Sequence, residues 1–159
     1  MKMSDLKPAK EFAQQYGCKA VVFGGPGSGK TPIINTAPRP VMLVCEPGML
    51  SMRNSNVPSF EAFEAKQIDE FFKWIFESSE AKNFDTIAVD SISQMADIYL
   101  QKAMKENRHG LKAYGEMATN TMAHLRGLFH TRYKHTYLIA KEIIVESDGF
   151  KLKKPYKPF

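Results

Sequence analysis

Short apolar runs alternate along the chain with amphipathic stretches, and this alternation predicts a layered α/β sheet. Residues 19–23, Lys-Ala-Val-Val-Phe, predict a strand. Residues 41–45, Val-Met-Leu-Val-Cys, are continuously apolar, as suits a central parallel strand buried on both faces. Residues 86–90 and 136–140 repeat that pattern, and 59–63 predicts a short edge strand. Helical periods lie between the runs. Over 68–78, Ile68, Phe71, Phe72, Ile75 and Phe76 recur at helical spacing, and Trp74 joins them as core in preference to a base-stacking platform. Further helices are expected over 93–108, with Ser91 or Ser93 as N-cap, over 114–133, and over 7–16, where Phe12, Ala13 and Tyr16 share one side. Residues 143–146 and 150–153, joined by Ser147-Asp148-Gly149, predict a hairpin. The expected fold is a three-layer, mostly parallel α/β sheet flanked by helices, with a C-terminal hairpin. Such sheets bind ligands beyond the carboxyl ends of their strands, which puts residues 24–31, Glu46, Asp90 and Lys141 on one rim.

The segment after the first strand adds chemistry to this frame. Gly24-Gly25-Pro26-Gly27-Ser28-Gly29-Lys30-Thr31 fits the phosphate-loop pattern G-x-x-x-x-G-K-[ST] without a mismatch. Glycines let successive N–H groups turn inward around phosphate oxygens, where a Cβ would obstruct. Lys30 brings a compact positive charge to the β- and γ-phosphates, and the Thr31 hydroxyl is a hard oxygen ligand for Mg²⁺. A short helix is expected over 30–36, stopped by Ala37-Pro38, with Pro32 tolerated in its first turn and its dipole aimed at the same anion. A nucleoside triphosphate with Mg²⁺ is the implied ligand.

Composition sets bounds. The 159 residues suffice for one domain with a real core, and 43% apolar content is ordinary for a globular chain. No apolar run is long enough to cross a bilayer, and the first residues lack the core of a signal peptide, so a cytoplasmic protein without a membrane partner is expected. Cys18 and Cys45 have no metal-ligand spacing and adjoin predicted strands, which reads as reduced core thiols. His109, His124, His130 and His135 likewise show no ligand spacing and read as surface or helix residues. Charge is lopsided. Residues 1–100 hold 10 Lys/Arg against 12 Asp/Glu, whereas 101–159 hold 12 against 5. That basic half suits a polyanionic partner, nucleic acid first, or a plain solvated surface.

Other candidates follow from strand ends. Asp90 is an acid at a strand tip beside the loop, suited to Mg²⁺, against a capping role. Ser91 beside it is a candidate to orient water. Glu46 could hold and polarise a water near the γ-phosphate, or merely be a turn residue before Pro47-Gly48. Lys141 or Glu142 could sense the γ-phosphate, or form a surface charge pair. Lys151, Lys153, Lys154 and Lys157, interleaved with Phe150, Tyr156 and Phe159, suit a single nucleic-acid strand, whose phosphates and bases are both engaged.

The order of these motifs resembles the phage RecA-like P-loop ATPases of the single-strand annealing class, often labelled AAA-family nucleotide-binding proteins. The segments that carry the resemblance are 23–31; 44–53, Val-Cys-Glu-Pro-Gly-Met-Leu-Ser-Met-Arg; 84–91; 113–117, Ala-Tyr-Gly-Glu-Met; and 140–142. The resemblance implies a single RecA-like domain over 1–159 that binds and hydrolyses ATP with Mg²⁺ and acts on single-stranded DNA in recombination or replication. It implies Lys30 and Thr31 at the phosphates and metal, Asp90 at the metal, Glu46 with Lys30 as the catalytic pair, and self-association into a filament or ring. Two departures stand out. Cys45 and Pro47 flank Glu46 where the family usually has small residues, and the chain stops at Phe159 where members usually continue, which reads either as a C-terminal truncation or as a natural minimal version. Two other functions share the loop. A small-molecule kinase would carry an Arg-rich lid, and only Arg126 and Arg132 fall near each other. A non-hydrolysing ATP-gated adaptor or loader would capture a partner with negligible turnover. A ParA-type ATPase is disfavoured, because Gly25 stands where that variant loop has its early lysine.

Overall fold

The computed structural model describes residues 1–107, 110–147 and 150–156. Five strands run parallel: β1 (Lys19–Gly24), β2 (Pro40–Val44), β3 (Ser59–Glu61), β4 (Thr86–Asp90) and β5 (His135–Ser147), in the order β1-β5-β4-β2-β3. A sixth, β6 (Phe150–Pro155), pairs antiparallel with the far half of β5. The helices are α1 (Ala9–Ala13), α2 (Ala65–Glu77), α3 (Ile92–Glu106) and α4 (Gly110–His130). This is the three-layer, mostly parallel α/β sheet that the alternation predicts.

Side-chain alternation explains the unbroken apolar runs. Val41, Leu43, Ile87 and Val89 face one way and pack with Ile68, Phe72, Met95 and Tyr99 of α2 and α3 and with Met117 and Leu128 of α4. Met42, Val44 and Ala88 face the other way, against Ile34 and Met52. Those two residues sit in short 3-10 turns, Pro32–Thr36 and Leu50–Met52. One face of the sheet is therefore thickly clad and the other thinly. Full burial of each such Val, Leu or Ile contributes about 1.5–3 kcal/mol before entropy is counted. Among the described residues no helix is long and apolar enough to cross a membrane.

Several expectations change. The helix expected over 30–36 is a 3-10 turn of five residues, Pro32–Thr36, so any dipole at the loop is that of one short turn. β5 does not stop at Ala140. Its parallel partners end opposite Ile139 and Lys141, and β6 takes over pairing from Glu142, so the backbone never lacks hydrogen-bond partners and has no reason to break. The Asp148-Gly149 turn lies outside the described residues. Cys45 is buried, with its thiol pushed up to about 12 by burial first and by Asp90 and Glu46 after it, but Cys18 is exposed. Cys18 precedes the edge strand β1, which among the described residues has a neighbour on one side only. Phe12 and Tyr16 are exposed as well.

His124 is not a plain surface residue. Its ring stacks on Phe72 with centroids 4.1 Å apart, and its Nε2 lies 2.7 Å from the Tyr99 hydroxyl, which donates to Asp69 at 2.5 Å. Trp74 is half-buried at the edge of the same aromatic cluster.

Candidate nucleotide site

Strand register assembles the rim. Gly24 pairs with Lys141, Asp90 with Ile139, and Val44 with Asp90, so the residues that follow these strand ends meet. They bound a pocket of about 450 Å³ that includes Gly24, Lys30, Glu46, Asp90, Lys141 and Ile144. Within the loop, Gly27 (φ 72°) and Gly29 (φ 81°) occupy the left-handed region, where a side chain is strained. A Cβ on Gly24 would lie 2.7 Å from Ser28 Oγ. Pro26 and Ser28 are exposed, and Pro26 lines the pocket. Lys30 Nζ donates to the Gly25 carbonyl at 2.7 Å, folding the loop around its own lysine.

The two carboxylates have different surroundings. Asp90 is 7% exposed, and the Thr31 hydroxyl donates to its Oδ2 at 2.5 Å. Burial raises its pKa above the ordinary range, with Glu46 adding to the effect and the Thr31 bond and Lys30 opposing it. Glu46 is half-buried one residue beyond Cys45, whose N–H donates to the Asp90 carbonyl at 2.7 Å. The Ser91 hydroxyl donates to Glu46 Oε1 at 2.5 Å, and Lys141 Nζ lies 3.4 Å from the same oxygen. Ser91, read from sequence as a water-orienting group, is thus committed to Glu46. Gln94 escaped the sequence reading altogether, yet its Oε1 accepts from Lys141 Nζ at 2.9 Å. Nothing local in the sequence marks it beyond its place in the first turn of α3.

Glu142 and the hairpin lysines fall together. Glu142 lines the pocket and pairs with Lys153 at 3.2 Å, and Lys151 pairs with Glu146 at 3.7 Å. Lys154 is exposed and forms no ion pair among the described residues. Lys157 lies outside them. In the segment 113–117, Tyr114 is exposed and Glu116 Oε2 accepts from Asn107 Nδ2 at 2.9 Å, tying the end of α3 to the start of α4.

A family model described as an AAA domain (AAA_24) matches residues 17–156. The chain belongs to this AAA domain family. No curated protein matches the sequence. Among solved structures, the KaiC-like protein PH0186 from the hyperthermophilic archaeon Pyrococcus horikoshii OT3 is similar at 14% identity, over 87% of this chain and 76% of that one, with a TM-score of 0.47.

The site of this AAA domain suits Mg²⁺. That ion takes hard oxygens, usually one or two carboxylates completed by waters and substrate phosphates. Thr31 and Asp90 present such oxygens already in contact. Among the described residues there is no cluster of three or more His, Cys, Asp or Glu, the kind that would form a closed cage. With the phosphate loop intact, the AAA domain is of the P-loop nucleotide-binding type.

Proposed function

We propose that the chain is a Mg²⁺-dependent ATPase that acts on single-stranded DNA in phage recombination or replication. The observation that carries the reading is one pocket bounded by Lys30, Glu46, Asp90 and Lys141. Lys30 holds the β- and γ-phosphates, and the loop N–H groups cradle them. Thr31 and Asp90 would hold the metal, which would offset charge on the phosphate oxygens. Glu46 takes a proton from water as the water oxygen bonds to the γ-phosphorus; the bond to the bridging oxygen breaks, ADP leaves, and the proton passes to phosphate or solvent. Lys141 is the candidate sensor, because a γ-phosphate competes with Glu46 for its ammonium. Glu142 is a weaker candidate, being paired with Lys153.

The DNA assignment is supported by the resemblance of segments 44–53 and 113–117. It is also supported by the lysines of β6, which pairs with the part of β5 beyond Lys141. Among the described residues Lys154 forms no ion pair, while Lys151 and Lys153 would have to exchange glutamate for phosphate. Assembly into a filament or ring belongs to the same reading.

An ATP-gated adaptor is the second reading. It is favoured by the ion pair of Glu46 with Lys141, whose ammonium competes with water for the carboxylate. The kinase alternative is weakened because no arginine lines the pocket among the described residues.

The deciding experiment is an ATPase assay with and without single-stranded DNA. Wild type should turn over faster with DNA, Lys30→Ala should lose nucleotide binding, and Glu46→Gln should bind without turnover. Turnover and assembly indifferent to DNA would defeat the DNA assignment. Binding without turnover in wild type, with and without DNA, would favour the adaptor.

A further inference from the structure

We infer that Ser91 is the positioning residue for Glu46: its hydroxyl fixes which carboxylate oxygen is left to work on water. The inference rests on the reading of Glu46 as the carboxylate that polarises the attacking water. Ser91 is 2% exposed and is the N-cap of α3. Its Oγ accepts the Gln94 N–H at 3.2 Å. With that lone pair occupied, the hydroxyl hydrogen is directed to Glu46 Oε1, 2.5 Å away. Lys141 Nζ approaches the same Oε1 at 3.4 Å and is itself held by Gln94 Oε1 at 2.9 Å. Oε1 is thus engaged from two directions, and both donors are set by the first turn of α3. No hydrogen bond among the described residues engages Oε2, so Oε2 is the oxygen that receives the proton of water. A carboxylate held by one oxygen keeps one orientation, and a small misplacement of a base is costly in rate.

Ser91 also caps a helix, so the test must separate the two roles. Glycine is nearly as good an N-cap as serine, whereas alanine is poor. ATP turnover by the full chain is measured for Ser91→Gly, Ser91→Ala, Glu46→Gln and the double variant Ser91→Gly/Glu46→Gln. A fluorescent ATP analogue reports binding. Ser91→Gly and Ser91→Ala should both lose about tenfold or more in kcat, with KM and analogue affinity within about twofold of wild type. The double variant should be no slower than Glu46→Gln alone, because both changes remove one device. Wild-type kcat in Ser91→Gly with loss only in Ser91→Ala would show that the cap alone matters and would overturn the inference. Additive losses in the double variant would overturn it too. Wild-type turnover in Glu46→Gln would instead remove the parent reading of Glu46, and this one with it. Loss in Glu46→Gln with none in Ser91→Gly would remove only the role of Ser91.

Discussion

Lys19 opens the strand that leads into the phosphate loop, and its ammonium is a hub. It donates to the carbonyls of Leu128 (2.9 Å), Thr131 (3.1 Å) and Lys134 (3.0 Å) and approaches Thr136 Oγ1 at 3.2 Å. Three of these acceptors lie at or just past the C-terminus of α4, where carbonyls lack intrahelical partners and a cation meets the negative dipole end. In Lys19→Met the stem is kept and the ammonium lost. Leu128 O retains the Thr131 N–H at 3.3 Å, so the carbonyls of Thr131 and Lys134 bear most of the loss. Both residues are half-buried, so each orphaned carbonyl should cost about 1 kcal/mol, the low end of the usual range. Loss of the cation at the helix end adds about 0.5 kcal/mol. Against this, burial already disfavours the charged lysine, whose pKa is lowered chiefly by desolvation. A net destabilisation of about 2 kcal/mol is expected, or a melting point lower by about 4–8 °C for a chain of this size. Urea unfolding followed by far-UV circular dichroism would measure it, with the m-value unchanged. Lys19→Gln, which keeps two donors, should fall between. If Lys19→Met lies within about 0.5 kcal/mol of wild type, the hub contributes nothing and the reasoning is wrong.

Two further effects concern titratable groups. His124 has a lowered pKa, because burial outweighs the opposing hydrogen bond and charge of Asp69. The unfolded chain therefore takes up this proton first. The stability tied to neutral His124 is present above pH 6.5 and is lost as pH falls towards the folded pKa, by at most about 1.4 kcal/mol per pH unit. Stability curves from pH 7.5 to 5 should flatten in His124→Gln, and an unchanged slope there would sink the assignment. Asp90 behaves oppositely, since burial raises its pKa in the nucleotide-free protein. Its contribution is present below the unfolded pKa of 3.8 and is lost as pH rises through the folded value, so Asp90→Asn should raise the nucleotide-free melting point at pH 7. The same variant should lose the thermal shift that wild type shows with ATP and Mg²⁺. Differential scanning fluorimetry measures both, and a lower nucleotide-free melting point would contradict the burial argument.

The parts of the molecule that were legible in the sequence are those whose physical demand is local. β2 and β4 show as unbroken apolar runs because both of their faces are buried. The phosphate loop shows because its glycines answer to backbone geometry within eight residues. The extension of β5 was hidden, because an exchange of partners from β1 and β4 to β6 leaves no mark on the sequence of the strand. Cys18 was misread because adjacency to a strand says nothing of whether that strand lies at an edge. The contact between Ser91 and Glu46 spans 45 positions and depends on where β2 and β4 end relative to each other, which only the register reveals. Glu46 itself was found from its strand end, whereas its pairing with Lys141 required the fold.

The unequal cladding of the sheet has a consequence for hydrogen exchange. On the face of α2, α3 and α4, amide protons should exchange only through global unfolding, because opening there uncovers the main core. On the other face, loosening Pro32–Thr36 or Leu50–Met52 uncovers chiefly Ile34 and Met52, a far smaller free energy. Thr31 adjoins the first of these turns, so the nucleotide side can breathe while the helical side stays closed. Ligand binding should therefore appear first as slowed exchange around residues 31–36 and 50–52, with little change in the helical layer.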